Sequence, residues 1–247
     1  MEIANKVAIV TGGASGLGKS IVNMLLKNSS KVVVFDINKE ALDALENSES
    51  LLKLACDITK EEEIAKAVEQ TIQKFSKIDI LVNNAGILYS EPLINIMLKE
   101  KRHSIKKWQK VIDINLTAPF VLGSYVAEQM IMNRTKGVIV NISSISAKGN
   151  IGQSAYSAAK AGLESMTKVW AKELGSFGIR SVAIAPGFMD TESTHMAVTQ
   201  DILEHIKSET PIKRLGKAED IANTVKFVIE NNHVNAKTLE IDGGLVI

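Results

Sequence analysis

Residues 7–20 read VAIVTGGASGLGKS, an apolar run followed by a glycine-rich turn and the start of a helical pattern. Glycines allow a tight turn and a close approach of the backbone to a ligand. A helix that begins directly after such a turn offers unpaired N–H groups and the positive end of its dipole to a phosphate. The stretch therefore predicts a strand, a phosphate-binding turn and a helix in succession.

Two nucleotide-binding motifs fit this turn. Residues 13–20 match the P-loop GxxxxGK[ST] of nucleoside triphosphatases, in which Lys19 would contact phosphates. Residues 12–18 match GxxxGxG, a spaced variant of the dinucleotide fingerprint. Asp36 ends the next apolar run and suits both, since its carboxylate could hold Mg²⁺ or accept hydrogen bonds from an adenosine ribose. The glycine stretch alone leaves both classes open.

Apolar runs rich in β-branched residues alternate with amphipathic helical patterns along the whole chain. Strands are predicted over 6–10, 31–35, 51–55, 78–82, 137–142, 180–185 and 238–241. Helices are predicted over 17–28, 39–48, 60–75, 104–133, 155–175 and 217–230. Continuous apolar strands alternating with helices are typical of a parallel sheet covered on both faces. We predict an α/β protein with a single doubly wound parallel sheet of about seven strands, helices on both faces, and one domain over 1–247.

Two stretches, 87–107 and 188–212, are longer than simple connections. Both follow the carboxyl ends of predicted strands, where ligands bind in open α/β sheets. Long excursions in compact domains are frequently lids or binding loops. We predict that both are substrate loops, with an ordinary surface insertion as the alternative for 87–107.

Composition narrows the classes of function. The chain carries 29 basic and 28 acidic residues, a net charge of +1, without the basic excess of a nucleic-acid binder. The apolar runs are far shorter than the ~20 residues of a membrane helix, and residues 1–6 do not resemble a signal peptide. The single cysteine, Cys56, fits a reducing compartment, and the four histidines share no ligand-like spacing. We expect a cytoplasmic protein without a metal site and without nucleic-acid or membrane partners.

Tyr156 and Lys160 stand four residues apart near the start of a predicted helix, so the phenol and the ammonium face the same way. A nearby cation favours the phenolate, as acid–base work near neutrality requires of a group whose ordinary pKa is about 10. Ser143, at the end of a predicted strand, can offer a hydroxyl to a substrate oxygen. The pair alone also fits an ordinary surface helix, so its weight depends on the other motifs.

Taken together, the motifs resemble the short-chain dehydrogenase/reductase family over nearly the full chain. The matching pieces, in the family's order, are Thr11-Gly12, Gly16-Leu17-Gly18, Asp57, Asn83-Asn84-Ala85-Gly86, Asn115, Ser143, Tyr156, Lys160, Pro186-Gly187, Thr191 and Asp242-Gly243-Gly244. Only the spacing of thirteen residues to Tyr156 selects Ser143 over the adjacent Ser144. The resemblance implies a Rossmann fold, an oxidoreductase and a homotetramer or homodimer, and leaves the P-loop NTPase as a remote alternative.

The same resemblance implies roles in catalysis. Tyr156 would be the general acid in reduction and the general base in oxidation. Lys160 would lower the pKa of Tyr156 and bind the nicotinamide ribose. Ser143 would polarise the substrate oxygen, and Asn115 would hold a water that connects Lys160 to solvent. A helix kink is the alternative reason for Asn115.

Cofactor contacts are implied as well. They comprise Gly12, Ser15, Leu17 and Gly18 at the pyrophosphate, Asp57 and Ile58 at the adenine, Asn84 to Gly86 beneath the cofactor, Tyr156 and Lys160 at the ribose end, and Met189 and Thr191 at the carboxamide. Asp36 could accept both ribose hydroxyls of NAD and would repel the 2′-phosphate of NADP. Ser15 and residues 37–38 supply no cation for that phosphate, so NAD is predicted over NADP.

The substrate must be a secondary alcohol or ketone. Residues 87–107, 184–187 and 229–232 look like those of NAD-dependent type II 3-hydroxyacyl-CoA dehydrogenases, and the core resembles 3-oxoacyl-carrier-protein reductases, which commonly prefer NADP. We predict a 3-hydroxyacyl or 3-oxoacyl thioester of CoA or a carrier protein, as in fatty acid metabolism. A sugar or polyol dehydrogenase is the alternative. The basic residues Lys99, Lys101 and Arg102 could meet CoA phosphates, although a solvated surface is the favoured interpretation of that run.

Overall fold

The computed structural model describes residues 1–97 and 99–246, so Leu98, within the 87–107 excursion, and Ile247 lie outside the described residues. Over those ranges, seven parallel strands form one sheet in the order β3-β2-β1-β4-β5-β6-β7. The chain reverses its direction of winding between β1 and β4, which makes the sheet doubly wound. The predicted fold class is confirmed. The strands are β1 Val7–Thr11, β2 Lys31–Asp36, β3 Leu51–Ala55, β4 Ile80–Asn83, β5 Val138–Ile142, β6 Arg180–Pro186 and β7 Thr238–Ile241.

Helices cover both faces of the sheet because successive residues of each central strand point to opposite sides. In β1, Ala8 and Val10 join the core beneath α1 and α9, whereas Val7 and Ile9 join the core beneath α3, α5 and α6. The helices are α1 Gly16–Lys27, α2 Lys39–Asp43, α3 Glu61–Phe75, α4 Ile105–Ile112, α5 Ala118–Met132, α6 Ser154–Glu173, α7 Glu192–Ala197, α8 Gln200–Glu209 and α9 Ala218–Glu230.

The helix predicted over 104–133 is present as α4, a π-helical turn and α5 in direct succession. A π-helical turn, Asp113–Thr117, separates α4 from α5. Pro119, at the start of α5, has no N–H to donate to the carbonyl of Asn115, so the regular pattern of helical hydrogen bonds fails there. The predicted helical stretch is confirmed, and the π-helical turn within it places Asn115 in a widened turn of the kind often found at functional sites.

Two boundaries differ from the prediction. The stretch 188–212, predicted as a loop, contains the short helices α7 and α8. The helix predicted over 39–48 ends at Asp43, and the polar residues that follow lead into β3. In both places the amphipathic pattern spans only a few helical turns. Whether so short a segment is helical depends on its packing against the rest of the protein.

The described residues of the 87–107 excursion lie next to the turn before α6. An antiparallel bridge joins Ile94 to Arg102. The Glu91 N–H donates to the Gly152 carbonyl at 2.7 Å, which ties the base of the loop to the turn before α6. The excursion therefore borders the helix that carries Tyr156.

The exposed faces of α5 and α6 are relevant to the predicted association of subunits. The apolar residues Leu163 and Trp170 of α6 belong to the core, whereas Val169 of α6 and Phe120 of α5 are exposed. The homotetramer or homodimer stays a prediction. Within residues 1–97 and 99–246, none of the helices combines the length and the apolar character needed to cross a bilayer.

Candidate active site

A cleft of about 530 Å³ opens at the carboxyl edge of the sheet. Residues at or just after the ends of β1, β2, β4, β5 and β6 line it, as expected for a doubly wound sheet. Gly18 and Asn115 lie outside the lining. The other residues predicted at the site are brought together there, namely Gly12, Ser15, Leu17, Asp36, Asp57, Ile58, Asn84, Ser143, Tyr156, Lys160, Met189 and Thr191.

The glycine turn leaves room for a phosphate. A Cβ on Gly18 would lie 2.1 Å from the Gly12 carbonyl oxygen, so Gly18 lets α1 pack directly on the turn. Gly16 has φ +51°, and a Cβ built on it meets no atom of the described chain within 4 Å. Ser15 is the extended N-cap residue of α1, whose first N–H groups have no partner within the helix. Open space above unpaired N–H groups fits the pyrophosphate of a dinucleotide.

Asp36 is fixed at the opposite side of the turn. One carboxylate oxygen accepts the Ala14 N–H at 3.1 Å and the other accepts the Asn38 N–H at 3.0 Å. Each oxygen keeps further acceptor capacity toward the cleft. The neighbouring Ile37 is 70% exposed and adds no charge. The carboxylate is thus pre-oriented for a ligand that donates hydroxyl hydrogen bonds.

Asp57 and Ile58 form the far wall of the cleft. The Asp57 carboxylate accepts the Thr59 N–H and hydroxyl at 3.0 and 2.7 Å, and these bonds lower its pKa. Cys56, which the sequence did not assign to the cleft, lines this wall, and burial raises the pKa of its thiol to about 12. The wall is a rigid turn with an unreactive thiol.

Asn84 braces the glycine turn from β4. Its amide nitrogen donates to the carbonyls of Thr11 at 2.9 Å and Gly12 at 3.2 Å. In return, the Thr11 hydroxyl accepts the N–H groups of Asn84 and Ala85, both at 3.0 Å. These bonds cross-link the ends of β1 and β4 beneath the cleft.

Tyr156 and Lys160 share one face of α6. The Lys160 ammonium is buried, donates to the Ile142 carbonyl at 2.8 Å and lies 5.6 Å from the centre of the Tyr156 ring. Burial lowers the pKa of Lys160 to about 8. Burial raises the pKa of the Tyr156 phenol, and a hydrogen bond from the Ser144 hydroxyl partly opposes that rise. The structure thus adds a second group, the Ser144 hydroxyl, that favours the ionised phenol.

We expect the free energy of unfolding to rise with pH because of Lys160. Its pKa in the folded state, about 8, lies below the ordinary value of 10.5. Between those values the unfolded chain binds more protons, so stability increases with pH. The Lys160→Met variant lacks this titrating group. Across that window, the free energy of unfolding of the parent should therefore rise by roughly 3 kcal/mol more than that of the variant. Denaturant unfolding at several pH values measures this difference, and parallel curves for the two proteins would contradict it.

Ser143 faces α6. Its hydroxyl is shared between the Glu164 carboxylate at 2.8 Å and the Lys160 carbonyl at 3.3 Å. Two residues earlier on the same face of β5, the Asn141 amide donates to the Thr167 hydroxyl at 2.9 Å. Side chains two residues apart in a strand share a face. The Ser143 hydroxyl and the Asn141 amide therefore both lie between β5 and α6.

Ser144 occupies the opposite face and points into the cleft. Its hydroxyl oxygen accepts the Ser146 N–H at 3.1 Å, which leaves its own hydrogen free to donate toward Tyr156. Both serines thus line the cleft, but the hydroxyl beside the phenol is that of Ser144 and not that of Ser143, which the spacing from Tyr156 had favoured. Ser144, twelve residues before Tyr156, presents the hydroxyl to the phenol.

Asn115 lies behind the cleft in the π-helical turn and is fully buried. Its amide nitrogen donates to the carbonyls of Val111 and Ile87, both at 3.0 Å, and its oxygen accepts the Ile87 N–H at 3.3 Å. A Cβ on Gly86 would lie 2.5 Å from that oxygen and 3.6 Å from the Lys160 nitrogen. Asn115 therefore fixes the start of the 87–107 excursion close to Lys160.

Sequence reasoning missed Gln153, which precedes α6 and also lines the cleft. Its position three residues before Tyr156, at the start of the helix, was an available signal. Phe188 and Met189, which follow β6, lie in the cleft, whereas Met196 of α7 is 76% exposed and lies outside the lining.

Comparison with known proteins decides the family. The family model described as short chain dehydrogenase matches residues 6–201. The chain belongs to the short-chain dehydrogenase family. Among its relatives, 3-oxoacyl-[acyl-carrier-protein] reductase FabG of Thermotoga maritima is 38% identical over 255 residues, covering 100% of both chains. Sorbitol-6-phosphate 2-dehydrogenase of Klebsiella pneumoniae is 34% identical over 262 residues, covering 99% of this chain and 97% of that enzyme.

A solved structure agrees with this membership. The 3-ketoacyl-(acyl-carrier-protein) reductase from Brucella melitensis, complexed with NADH, has a TM-score of 0.88 and 28% identity, covering 99% of this chain and 100% of that chain. In the present short-chain dehydrogenase, Lys19 is exposed in a groove between α1 and α9, outside the cleft. Lys19 is therefore badly placed for the phosphate contact of a P-loop NTPase.

Proposed function

We propose that this short-chain dehydrogenase interconverts 3-oxoacyl and 3-hydroxyacyl thioesters with NAD(H). The observation that carries the proposal is one continuous cleft, with the glycine turn and Asp36 at one end and the Ser144–Tyr156–Lys160 group at the other. The names of the relatives support the thioester, since 3-oxoacyl-[acyl-carrier-protein] reductases recur among them.

The chain's own residues suit NAD. The open space over Gly16 fits the pyrophosphate, and the Asp36 carboxylate suits the two hydroxyls of the adenosine ribose. A 2′-phosphate at the same place would face that carboxylate without a compensating cation at Ile37 or Asn38. When bound, the nicotinamide supplies or accepts the hydride.

Ser144 and Tyr156 perform the proton chemistry of the proposed reaction. The Ser144 hydroxyl donates a hydrogen bond to the substrate oxygen and stabilises the negative charge that develops there during reduction. The Tyr156 phenol then donates its proton to that oxygen, and in oxidation it accepts the proton back. Burial keeps the phenol protonated before reduction, because it raises the pKa of Tyr156.

Lys160 assists Tyr156 in both reduction and oxidation. Its ammonium, 5.6 Å from the ring centre, favours the phenolate that remains after proton donation. We assign Asn115 a supporting role, in which it holds a water that connects Lys160 to solvent. Met189 and Thr191 line the cleft after β6 and would contact the carboxamide.

Apolar side chains near this group suit an acyl chain better than a sugar. A polyol or sugar phosphate is the second candidate substrate, because one relative is a sorbitol-6-phosphate dehydrogenase. Such substrates need several hydrogen-bonding partners, whereas this part of the cleft is mostly hydrocarbon. The apolar lining residues are Ile87, Leu88, Ile145, Phe188 and Val198.

Steady-state kinetics with NADH test the proposed substrate class. The panel contains 3-oxoacyl thioesters of CoA and of carrier protein, together with ketose phosphates and free ketoses. We expect kcat/KM to be highest for a thioester. A higher value for a sugar or sugar phosphate would overturn the proposal and favour the second candidate.

Cofactor choice should depend on Asp36. In the double variant Asp36→Ala, Ile37→Arg, the carboxylate is lost and a guanidinium that can bind a phosphate is gained. We expect kcat/KM to fall at least about tenfold for NADH and to rise for NADPH, since one lost charge contact is worth about 1.4 kcal/mol or more. Asp43→Ala, on the exposed surface of α2, is the matched control and should change neither value. An unchanged preference in the double variant would contradict the assignment.

A further inference from the structure

Glu164 contacts the strand end that carries the two serines. It lies on α6 four residues after Lys160 and eight after Tyr156, so the three side chains follow one face of the helix. Its carboxylate accepts the Ser143 hydroxyl at 2.8 Å. Ser143 is 3% exposed, and a buried hydroxyl that loses its partner is costly. The bond therefore fixes the end of β5 against α6.

Orientation of Ser143 sets the orientation of Ser144. Adjacent residues of an extended chain point to opposite faces, so holding Ser143 on α6 turns Ser144 toward the cleft. The Ser144 oxygen then accepts the Ser146 N–H at 3.1 Å, which starts the 3₁₀ turn Ile145–Lys148. A loosened Ser143 would release both serines together.

Lys148 ends that 3₁₀ turn and donates to the Glu240 carboxylate at 2.7 Å. That bond is the main cause of the raised pKa of Lys148, and the charges of Asp242 and Glu164 contribute to it. The segment from Ser143 to Lys148 is thus held at one end by Glu164 and at the other by Glu240.

We propose that Glu164 is a positioning residue, whose carboxylate holds Ser143 on α6 and thereby directs the Ser144 hydroxyl toward the phenol and the substrate oxygen. The inference rests on the proposed function, in which Ser144 polarises the substrate. Glu164 itself lies outside the residues that line the cleft, so its effect must pass through the serines.

Kinetics of matched variants test this role. Glu164→Leu should lower kcat about tenfold and leave KM for NADH unchanged, because a small misplacement of a reacting group costs rate. Glu164→Gln keeps an acceptor oxygen for Ser143 and should retain most of the activity. Glu173→Leu, an exposed glutamate of the same helix, is the control and should match the parent. Equal rates for Glu164→Leu and the parent would overturn the proposal.

Combined variants separate positioning from general damage. Ser143→Ala should reproduce the loss seen in Glu164→Leu, and the double variant should lose no more than either alone. In a Ser144→Ala background, Glu164→Leu should have no further effect on kcat. A full additional loss in that background would show that Glu164 acts elsewhere. Should Glu164→Leu fail to fold, Ser143→Ala and Glu164→Gln carry the same test.

A titration independent of substrate gives the second readout. The ionisation of Tyr156 is obtained from ultraviolet difference spectra of each protein against its own Tyr156→Phe counterpart. Loss of the Ser144 hydrogen bond should shift the phenol pKa upward in Glu164→Leu and not in Glu164→Gln. Lys160 is present in all of these proteins, so its titration affects each difference spectrum in the same way. If the parent reduces no thioester, the proposed function fails while this titration still decides the role of Glu164; an unchanged phenol titration overturns that role.

Discussion

Tyr156→Phe is expected to lower kcat by about 10³-fold, within the range that positioned proton donors contribute. The phenol is the group that gives a proton to the substrate oxygen, and phenylalanine keeps the ring while removing only that group. Cofactor affinity should fall far less than kcat, because only one contact at the ribose end is lost and the glycine turn and Asp36 lie at the other end of the cleft. Steady-state kinetics and a fluorescence titration with NADH measure the two quantities.

Tyr125→Phe is the matched control for this variant. The Tyr125 hydroxyl donates to the Glu61 carboxylate at 3.1 Å on the surface, far along α5 from the cleft. Its removal should leave kcat unchanged. A Tyr156→Phe enzyme that keeps the rate of the parent would show that another group moves the proton.

The second large effect is expected at Ser144. Ser144→Ala should lower kcat about 10²-fold, comparable to the loss of one hydrogen-bond donor to a developing oxyanion. Ser143→Ala should cost only about tenfold, because the Ser143 hydroxyl is directed to Glu164 on α6 and acts on the substrate through its neighbour. The ratio of the two kcat values, measured with the same thioester, tests the assignment of the hydroxyl.

A reversed order would contradict the geometry. If Ser143→Ala were the more damaging change, the hydroxyl facing α6 would have to turn into the cleft and abandon Glu164. Circular dichroism and thermal unfolding of both variants provide the check that each is folded.

Most of the fold was predictable because its signal is local and repeated. A strand such as β2 is an uninterrupted apolar run, and the glycines that follow β1 permit little besides a turn against a helix. Every predicted strand appears within two residues of its expected bounds. The end of β1, for example, extends to Thr11, whose hydroxyl is needed to accept the N–H groups of Asn84 and Ala85.

The errors share a different cause, since each depends on contacts between distant parts of the chain. Spacing along the sequence favoured Ser143, but the alternation of β5, set by the contact of Asn141 with Thr167 on α6, directs Ser144 into the cleft. The π-helical turn at Asn115 could have been anticipated from Pro119, which removes one helical hydrogen bond. The short helices α7 and α8 had no such signal, because helices of that length depend on packing.

Transfer of deuterium from NADH labelled at C4 of the nicotinamide tests the central claim most directly. The parent enzyme, given a 3-oxoacyl thioester, should place the label on C3 of a 3-hydroxyacyl product, and mass spectrometry should detect it there. Tyr156→Phe and Ser144→Ala should form that product far more slowly. Absence of label from every thioester offered, together with its appearance in a polyol, would contradict the account.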